Sequence, residues 1–161
     1  MSIDEVELLP DPDQQKVLTA TLERVNRVSN AARATAFARN VFAGVPLREI
    51  VKEEAEKAKL PDGFVRAITE RVQLALKRRS GKQSKFSTYQ SLALPATAFK
   101  WAPAADRVTF LTASGRRTIA VRVDKSRGDL RPPLAGRPTA IVYRNGDFEL
   151  WATDVDRSED D

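Results

Sequence analysis

The stretch LKRRSGKQSKFSTY, residues 76–89 and here called the seam, divides the chain into two parts with different periodicity. Before the seam, apolar residues recur every three or four positions, as on amphipathic helices; after it, apolar and polar residues alternate, as in strands. The seam itself holds five cations and no acid, together with Phe86 and Tyr89. Cations neutralise phosphates and flat rings stack on bases, so this composition suits contact with nucleic acid.

Three helices are predicted before the seam. Asp11, Pro12 and Gln14 have the spacing of a capping box with proline at the first helical position. The first helix should then run to Phe42, ahead of Gly44. Its buried stripe is predicted to comprise Leu18, Leu22, Val25, Val28 and Ala32. A second helix should open at Pro46, and a third, capped by Asp62, should bury Phe64, Ile68, Val72 and Leu76.

Short strands are predicted at both ends of this helical region. Val6 and Leu8 alternate with acids in a strand that ends at Pro10, and the chain after the seam contains several more alternating runs. The clearest is a hairpin around Asn145-Gly146, the pair favoured in two-residue turns. The expected fold is α+β: a small antiparallel lobe of about three helices, inserted after the first strand of a small antiparallel β-barrel. The expected divisions are residues 1–10, 11–85 and 86–153, then an acidic tail over 154–161.

Charge is distributed unevenly along the chain. Residues 61–145 carry 17 Lys and Arg against 5 Asp and Glu, whereas residues 146–161 carry 1 against 7. A basic block of this size predicts an anionic polymer as partner. The chain has no cysteine and no histidine, which excludes thiolate metal sites and Ser-His or Cys-His catalysis. No apolar run approaches a membrane span and the acidic N-terminus is unlike a signal peptide, so we expect a cytoplasmic protein with no membrane partner and no cofactor.

Several motifs together resemble one family. They are VELLPDPDQ (6–14), TL (21–22) with Asn26 and Asn30, LP (60–61) ahead of KRR (77–79) and KF (85–86), VTFLT (108–112) with GR (115–116), and RNGDFEL (144–150). In order and spacing this set is similar to the N-terminal part of TnpB-like (OrfB-type) proteins. These are transposon-encoded RNA-guided DNA nucleases related to type V CRISPR effectors.

The resemblance implies a helical recognition (REC) lobe inserted into a wedge (WED) barrel. Together they would bind a guide RNA scaffold and target double-stranded DNA through a basic groove. In the family a RuvC-type nuclease domain follows and supplies acidic residues for Mg²⁺-dependent cleavage. Here Asp161 falls where that domain would begin, so no catalytic or metal-binding residue is carried over. We therefore expect this chain to bind without cutting, with a RuvC-type nuclease domain as a possible partner.

Candidate contact residues follow from the resemblance and the charge pattern together. The phosphate contacts expected in the seam are Lys77, Arg78, Arg79, Lys82 and Lys85. On the helices, Arg66, Gln73, Asn30 and Arg33 are candidates to face nucleic acid. Arg116, Arg117 and Arg122 are candidates for RNA contact from the strands, or plain solvated surface. Tyr89 would stack on a base or pack in the core.

Two other functions fit the sequence. In a transcriptional regulator, Leu47–Lys59 and Asp62–Arg79 would form a helix-turn-helix pair that reads duplex DNA, with the strands as a dimerisation or effector domain. The other alternative is a protein-interaction module. The preferred ligand distinguishes the three functions: structured RNA indicates the nuclease portion, duplex DNA the regulator, and no nucleic acid the interaction module.

Overall fold

The structure, a computed structural model, describes residues 4–78, 85–122 and 134–154. Its helices are α1 (Pro12–Ala38), α2 (Gly44–Lys57) and α3 (Val65–Lys77), with short 3-10 turns at Asp62–Phe64 and Ala96–Ala98. Its strands are β1 (Glu5–Leu9), β2 (Leu92–Leu94), β3 (Lys100–Trp101), β4 (Arg107–Thr112), β5 (Gly115–Val121), β6 (Thr139–Arg144) and β7 (Asp147–Ala152). The predicted α+β class is confirmed.

The chain forms two compact units. One, here called the sheet unit, comprises the described residues up to Val17 and from Ser91 onward and contains every described strand; the other, the helical unit, comprises the described residues of Leu18–Gln90. Because α1 begins at Pro12, its first six residues, Pro12–Val17, belong to the sheet unit and the rest to the helical unit. The predicted acidic tail, apart from Asp154, and most of the loop before β6 lie outside the described residues.

The seven strands form one sheet in the order β2-β6-β7-β1-β5-β4-β3, antiparallel at every described pairing. The expectation of a barrel is wrong, because the described strands leave β2 and β3 as separate edges. Both edge strands are short, and Pro95 with the following 3-10 turn separates them along the chain. A proline cannot donate to a ladder, and alternation alone does not encode which edges meet.

The first unit is built on strands that bury one face. Val6, Phe110, Ile119, Phe148 and Leu150 are all almost inaccessible to solvent. The predicted Asn145-Gly146 hairpin is confirmed, since both residues adopt the positive φ angles (54° and 88°) that a two-residue turn of the primed type requires. The rings of Tyr143 and Phe148 meet edge to face across it, at 4.8 Å.

The start of α1 is as predicted. The Gln14 backbone N–H donates to Asp11 Oδ1 at 2.8 Å, and the Asp11 N–H donates to Gln14 Oε1 at 3.0 Å. These two bonds are the reciprocal pair of a capping box. The predicted stripe from Leu18 to Ala32 is buried.

Three helix boundaries differ from the prediction. The first helix ends at Ala38, because Asn40 turns left-handed (φ 55°) and Val41 N–H bonds Ala36 C=O at 2.9 Å in a Schellman motif. The second begins at Gly44, since Pro46 is tolerated in the first turn, where N–H groups need no helical partner. Asp62 does not cap α3; it starts the 3-10 turn, and its side chain makes no capping bond there.

Candidate nucleic-acid interface

Two asparagines on α1 hold the end of the seam by its backbone. Asn30 Oδ1 accepts from the Phe86 N–H at 2.8 Å, and its Nδ2 donates to the Phe86 C=O at 2.9 Å. Asn26 Nδ2 donates to the carbonyls of Thr88 (3.0 Å) and Gln90 (3.1 Å). These bonds fix the Phe86–Gln90 backbone on the helical unit.

A half-buried arginine completes this arrangement. Arg71 Nη1, from α3, donates to Asn26 Oδ1 at 2.8 Å, and the Arg71 guanidinium lies 4.2 Å from the centre of the Phe86 ring. Arg33, only 9% exposed, lies 5.9 Å from the same ring. Burial lowers the pKa of Arg71 to about 10, so its guanidinium stays charged at neutral pH and can make a cation–π contact. We call Asn26, Asn30 and Arg71, with the Phe86–Gln90 backbone, the latch.

The latch gives several predicted site residues a specific place. Asn30 and Arg33, predicted to face nucleic acid, both contact Phe86 inside the helical unit. Tyr89 is 44% exposed, so it is not a core residue. Lys85, immediately before the latch, is exposed.

Two further seam candidates lie at the end of α3. Lys77 is its last residue and Arg78 its C-cap, and both are exposed. Arg79 and Lys82 fall outside the described residues. On the same helix Gln73 is half-buried, and the exposed Arg66 forms an ion pair with Glu70 at 3.3 Å. The helix-turn-helix alternative would place base contacts near the N-terminus of α3. Among the described residues there, the exposed charges are Asp62 and the Arg66–Glu70 ion pair, so Arg66 is the one exposed cation.

The sheet carries a second basic surface. Val108, Phe110 and Ile119 point into the core, so the residues that alternate with them form the solvent side of β4 and β5. A groove of about 540 Å³ lies against β3, β4 and β5. We call it the sheet groove; the lining residues that matter here are Lys100, Trp101, Arg107, Thr109, Arg116 and Thr118.

Strand register arranges the groove's cations around a pair of hydroxyls. Lys100, Thr109 and Thr118 are aligned across β3, β4 and β5. Arg107 and Arg116 are displaced from that row toward opposite ends, each by two residues, which is about 7 Å along a strand. Three positive side chains therefore surround one patch of the sheet.

The threonines add hydrogen-bonding capacity. Their Oγ1 atoms lie 2.7 Å apart, so one hydroxyl donates to the other and the acceptor retains its own proton for a ligand oxygen. Threonine hydroxyls are common partners of phosphate oxygens, alongside Lys and Arg. The half-buried Trp101 also lines the groove, and its register partner Val108 points into the core. The groove thus combines charged and hydroxyl groups that bind a sugar–phosphate backbone.

The charge in and beside the groove is only partly compensated. Within the described residues, no ion pair includes Lys100, Arg116 or Arg117, and Arg107 lies 3.9 Å from the Asp106 carboxylate. The exposed Arg117 follows Arg116 on β5. Arg122, by contrast, forms an ion pair with Glu7 at 2.6 Å, which neutralises its charge locally.

Sequence reasoning missed Lys100, Arg107, Thr109 and Thr118, and also Arg71. Alternation with Val108 already placed Arg107 and Thr109 on one side of β4, but only the register brings Lys100 and Arg116 to them. Arg71 gave no signal, because a lone arginine on a helix is usually solvated.

No protein-family model, curated protein or solved structure matches this chain. The resemblance to TnpB-like proteins therefore stays a prediction. Among the described helices, none has the length and apolar character needed to cross a bilayer.

Proposed function

We propose that this protein binds nucleic acid, with structured RNA as its preferred ligand. The observation that carries the proposal is the sheet groove, where Lys100, Arg107 and Arg116 surround the Thr109–Thr118 hydroxyl pair beside Trp101. A groove of this composition can hold phosphates through its positive charges and hydroxyl groups. The exposed Lys77, Arg78 and Lys85 of the seam supply further cations on the helical unit.

The finer proposal is that the chain is the REC and WED portion of a TnpB-like RNA-guided DNA nuclease. Support comes from the motifs quoted above and from the order of elements, because three helices follow β1 before the remaining strands begin. Guide RNA and target double-stranded DNA are then the partners, and pairing with the guide reads the target sequence. A RuvC-type nuclease domain would supply cleavage, and the setting would be the cytoplasm.

A direct test compares three fluorescent ligands by anisotropy: a structured RNA, a duplex DNA of equal length and a single-stranded DNA. The proposal predicts that the structured RNA binds most tightly and that raising the salt weakens it steeply. Tightest binding to one duplex sequence, lost on changing that sequence, would instead indicate the helix-turn-helix regulator. Failure to bind any of the three at about 50 mM salt would leave the protein-interaction module.

A further inference from the structure

The hydroxyl pair of Thr109 and Thr118 in the sheet groove is accessible to a ligand and held in place by the sheet unit. Thr109 is half-buried and its register partner Thr118 is exposed. The Thr118 backbone is fixed by the β4–β5 ladder and also by Gln14, whose Nε2 donates to the Thr118 C=O at 2.9 Å. Both side chains are branched at Cβ, which restricts their rotamers. The pair therefore loses little conformational freedom when it binds a ligand.

The pair can donate one hydrogen bond and accept another at the same time. A hydroxyl group has one proton and two lone pairs. Whichever threonine donates across the 2.7 Å gap, its partner keeps a proton and both oxygens keep a lone pair. A phosphate oxygen only accepts, so it uses the donor half of this capacity. The ribose 2′-hydroxyl of RNA both donates and accepts, so it matches the whole of it.

Lys100 can bring such a hydroxyl to the pair. This exposed lysine is aligned with Thr109 across β3 and β4, and neighbouring strands lie about 5 Å apart. In RNA each 2′-hydroxyl is on the ribose carbon next to the one that carries the 3′-phosphate. A strand whose phosphate is held by Lys100 therefore carries a 2′-hydroxyl on the side of the threonines.

The cations of the sheet groove do not distinguish RNA from DNA. Lys100, Arg107 and Arg116 bind phosphate, which is the same in both polymers. Among the groove's lining residues in the described chain, the neutral polar side chains are the two threonines and Trp101, whose indole N–H only donates. Side-chain recognition of ribose in this groove therefore falls to the threonines.

We propose that the Thr109–Thr118 pair binds the ribose 2′-hydroxyl and gives the sheet groove its preference for RNA over DNA. The inference rests on the proposed function, because the groove's cations must first hold the strand. Loss of the pair should weaken RNA binding about three- to tenfold, the equivalent of one ordinary hydrogen bond. The salt dependence should stay at the parent's value, since no charge is removed.

The test compares one hairpin RNA with the same hairpin methylated at every 2′-hydroxyl, which removes the 2′ proton but keeps the charge and the A-form helix. The parent should bind the RNA at least about three- to tenfold more tightly than the methylated hairpin. Thr109→Val/Thr118→Val keeps the branched shape and suits a strand. It should lose that factor for the RNA and bind the methylated hairpin as the parent does. The control Thr109→Ser/Thr118→Ser keeps both hydroxyls and should keep the parent's ratio.

The outcomes separate this inference from the proposed function. A valine variant with the parent's ratio of affinities would overturn the inference and leave RNA binding intact. Equal weakening toward both hairpins would show that the hydroxyls contact phosphate or only support the strands, and would overturn it too. If the parent bound neither hairpin, the proposed function would fall and the inference with it. Thermal melting verifies folding, and Thr118→Val alone, at the exposed position, is a second variant with the same expected direction.

Discussion

Asn30 bonds both backbone polar groups of Phe86, accepting from its N–H at 2.8 Å and donating to its C=O at 2.9 Å. This is the pairing that a neighbouring β-strand would provide, supplied instead by one side chain across 56 residues of sequence. It fixes the backbone of Phe86, near the C-terminal end of the seam, on α1.

Replacement of Asn26 should cost stability. Asn26→Ala removes two donors to the Thr88 and Gln90 carbonyls and the acceptor for Arg71 Nη1. Since Asn26 is buried, we expect a loss of about 1 to 3 kcal/mol in the free energy of unfolding, measured with urea. Arg27→Ala, which breaks only the exposed pair with Glu23, is the control and should cost under about 1 kcal/mol. Equal losses in the two variants would show that Asn26 is not a structural anchor.

A second stability prediction concerns the end of α2. Lys59 adopts a left-handed conformation (φ 57°), with the Leu60 N–H bonded to the Ala55 C=O at 2.9 Å in a Schellman motif. Glycine adopts this conformation without steric cost, so Lys59→Gly should raise the free energy of unfolding by roughly 0.5 to 1 kcal/mol. Lys52→Gly, in the exposed middle of the same helix, should lower it by about 1 kcal/mol. A loss at both positions would contradict the assigned cap.

Acid should weaken the sheet unit through Asp154. Hydrogen bonds from Arg137, at 2.8 to 3.2 Å, hold the pKa of Asp154 below its usual value in the folded state. A carboxyl whose pKa is lower when folded stabilises the protein above its unfolded pKa, about 3.9, and loses that contribution as pH falls through the folded value. Between about pH 5 and pH 2, the urea midpoint of Asp154→Asn should fall less steeply than that of the parent. The exposed Glu49→Gln, on α2, serves as the control; parallel curves for the parent and Asp154→Asn would exclude the linkage.

The chain is expected to bind without cutting. Incubated with Mg²⁺, a structured RNA and a labelled duplex, it should leave both strands intact over hours. Products at a defined position that scale with protein concentration and vanish with EDTA would contradict this expectation.

Elements governed by local chemistry were predictable, and features set by long-range register were not. Asp11 and Gln14 cap α1 as their spacing indicates, and Asn145-Gly146 turns the last hairpin, because both signals act within a few residues. The open sheet and the sheet groove depend on which strands become neighbours. Lys100 and Arg116 are 16 positions apart, and only the pairing of β3, β4 and β5 brings them to one surface.

The sheet groove makes the central claim measurable through salt dependence. The test variant is Lys100→Ala/Arg107→Ala/Arg116→Ala, and the control is Arg48→Ala/Lys52→Ala/Lys57→Ala, which removes the same charge from the exposed side of α2. For structured RNA, the groove variant should lose about 2 to 3 from the slope of log Kobs against log[salt], while the control keeps the parent's slope. Equal slopes for parent and groove variant, or an equal loss in the control, would contradict phosphate binding by the sheet groove.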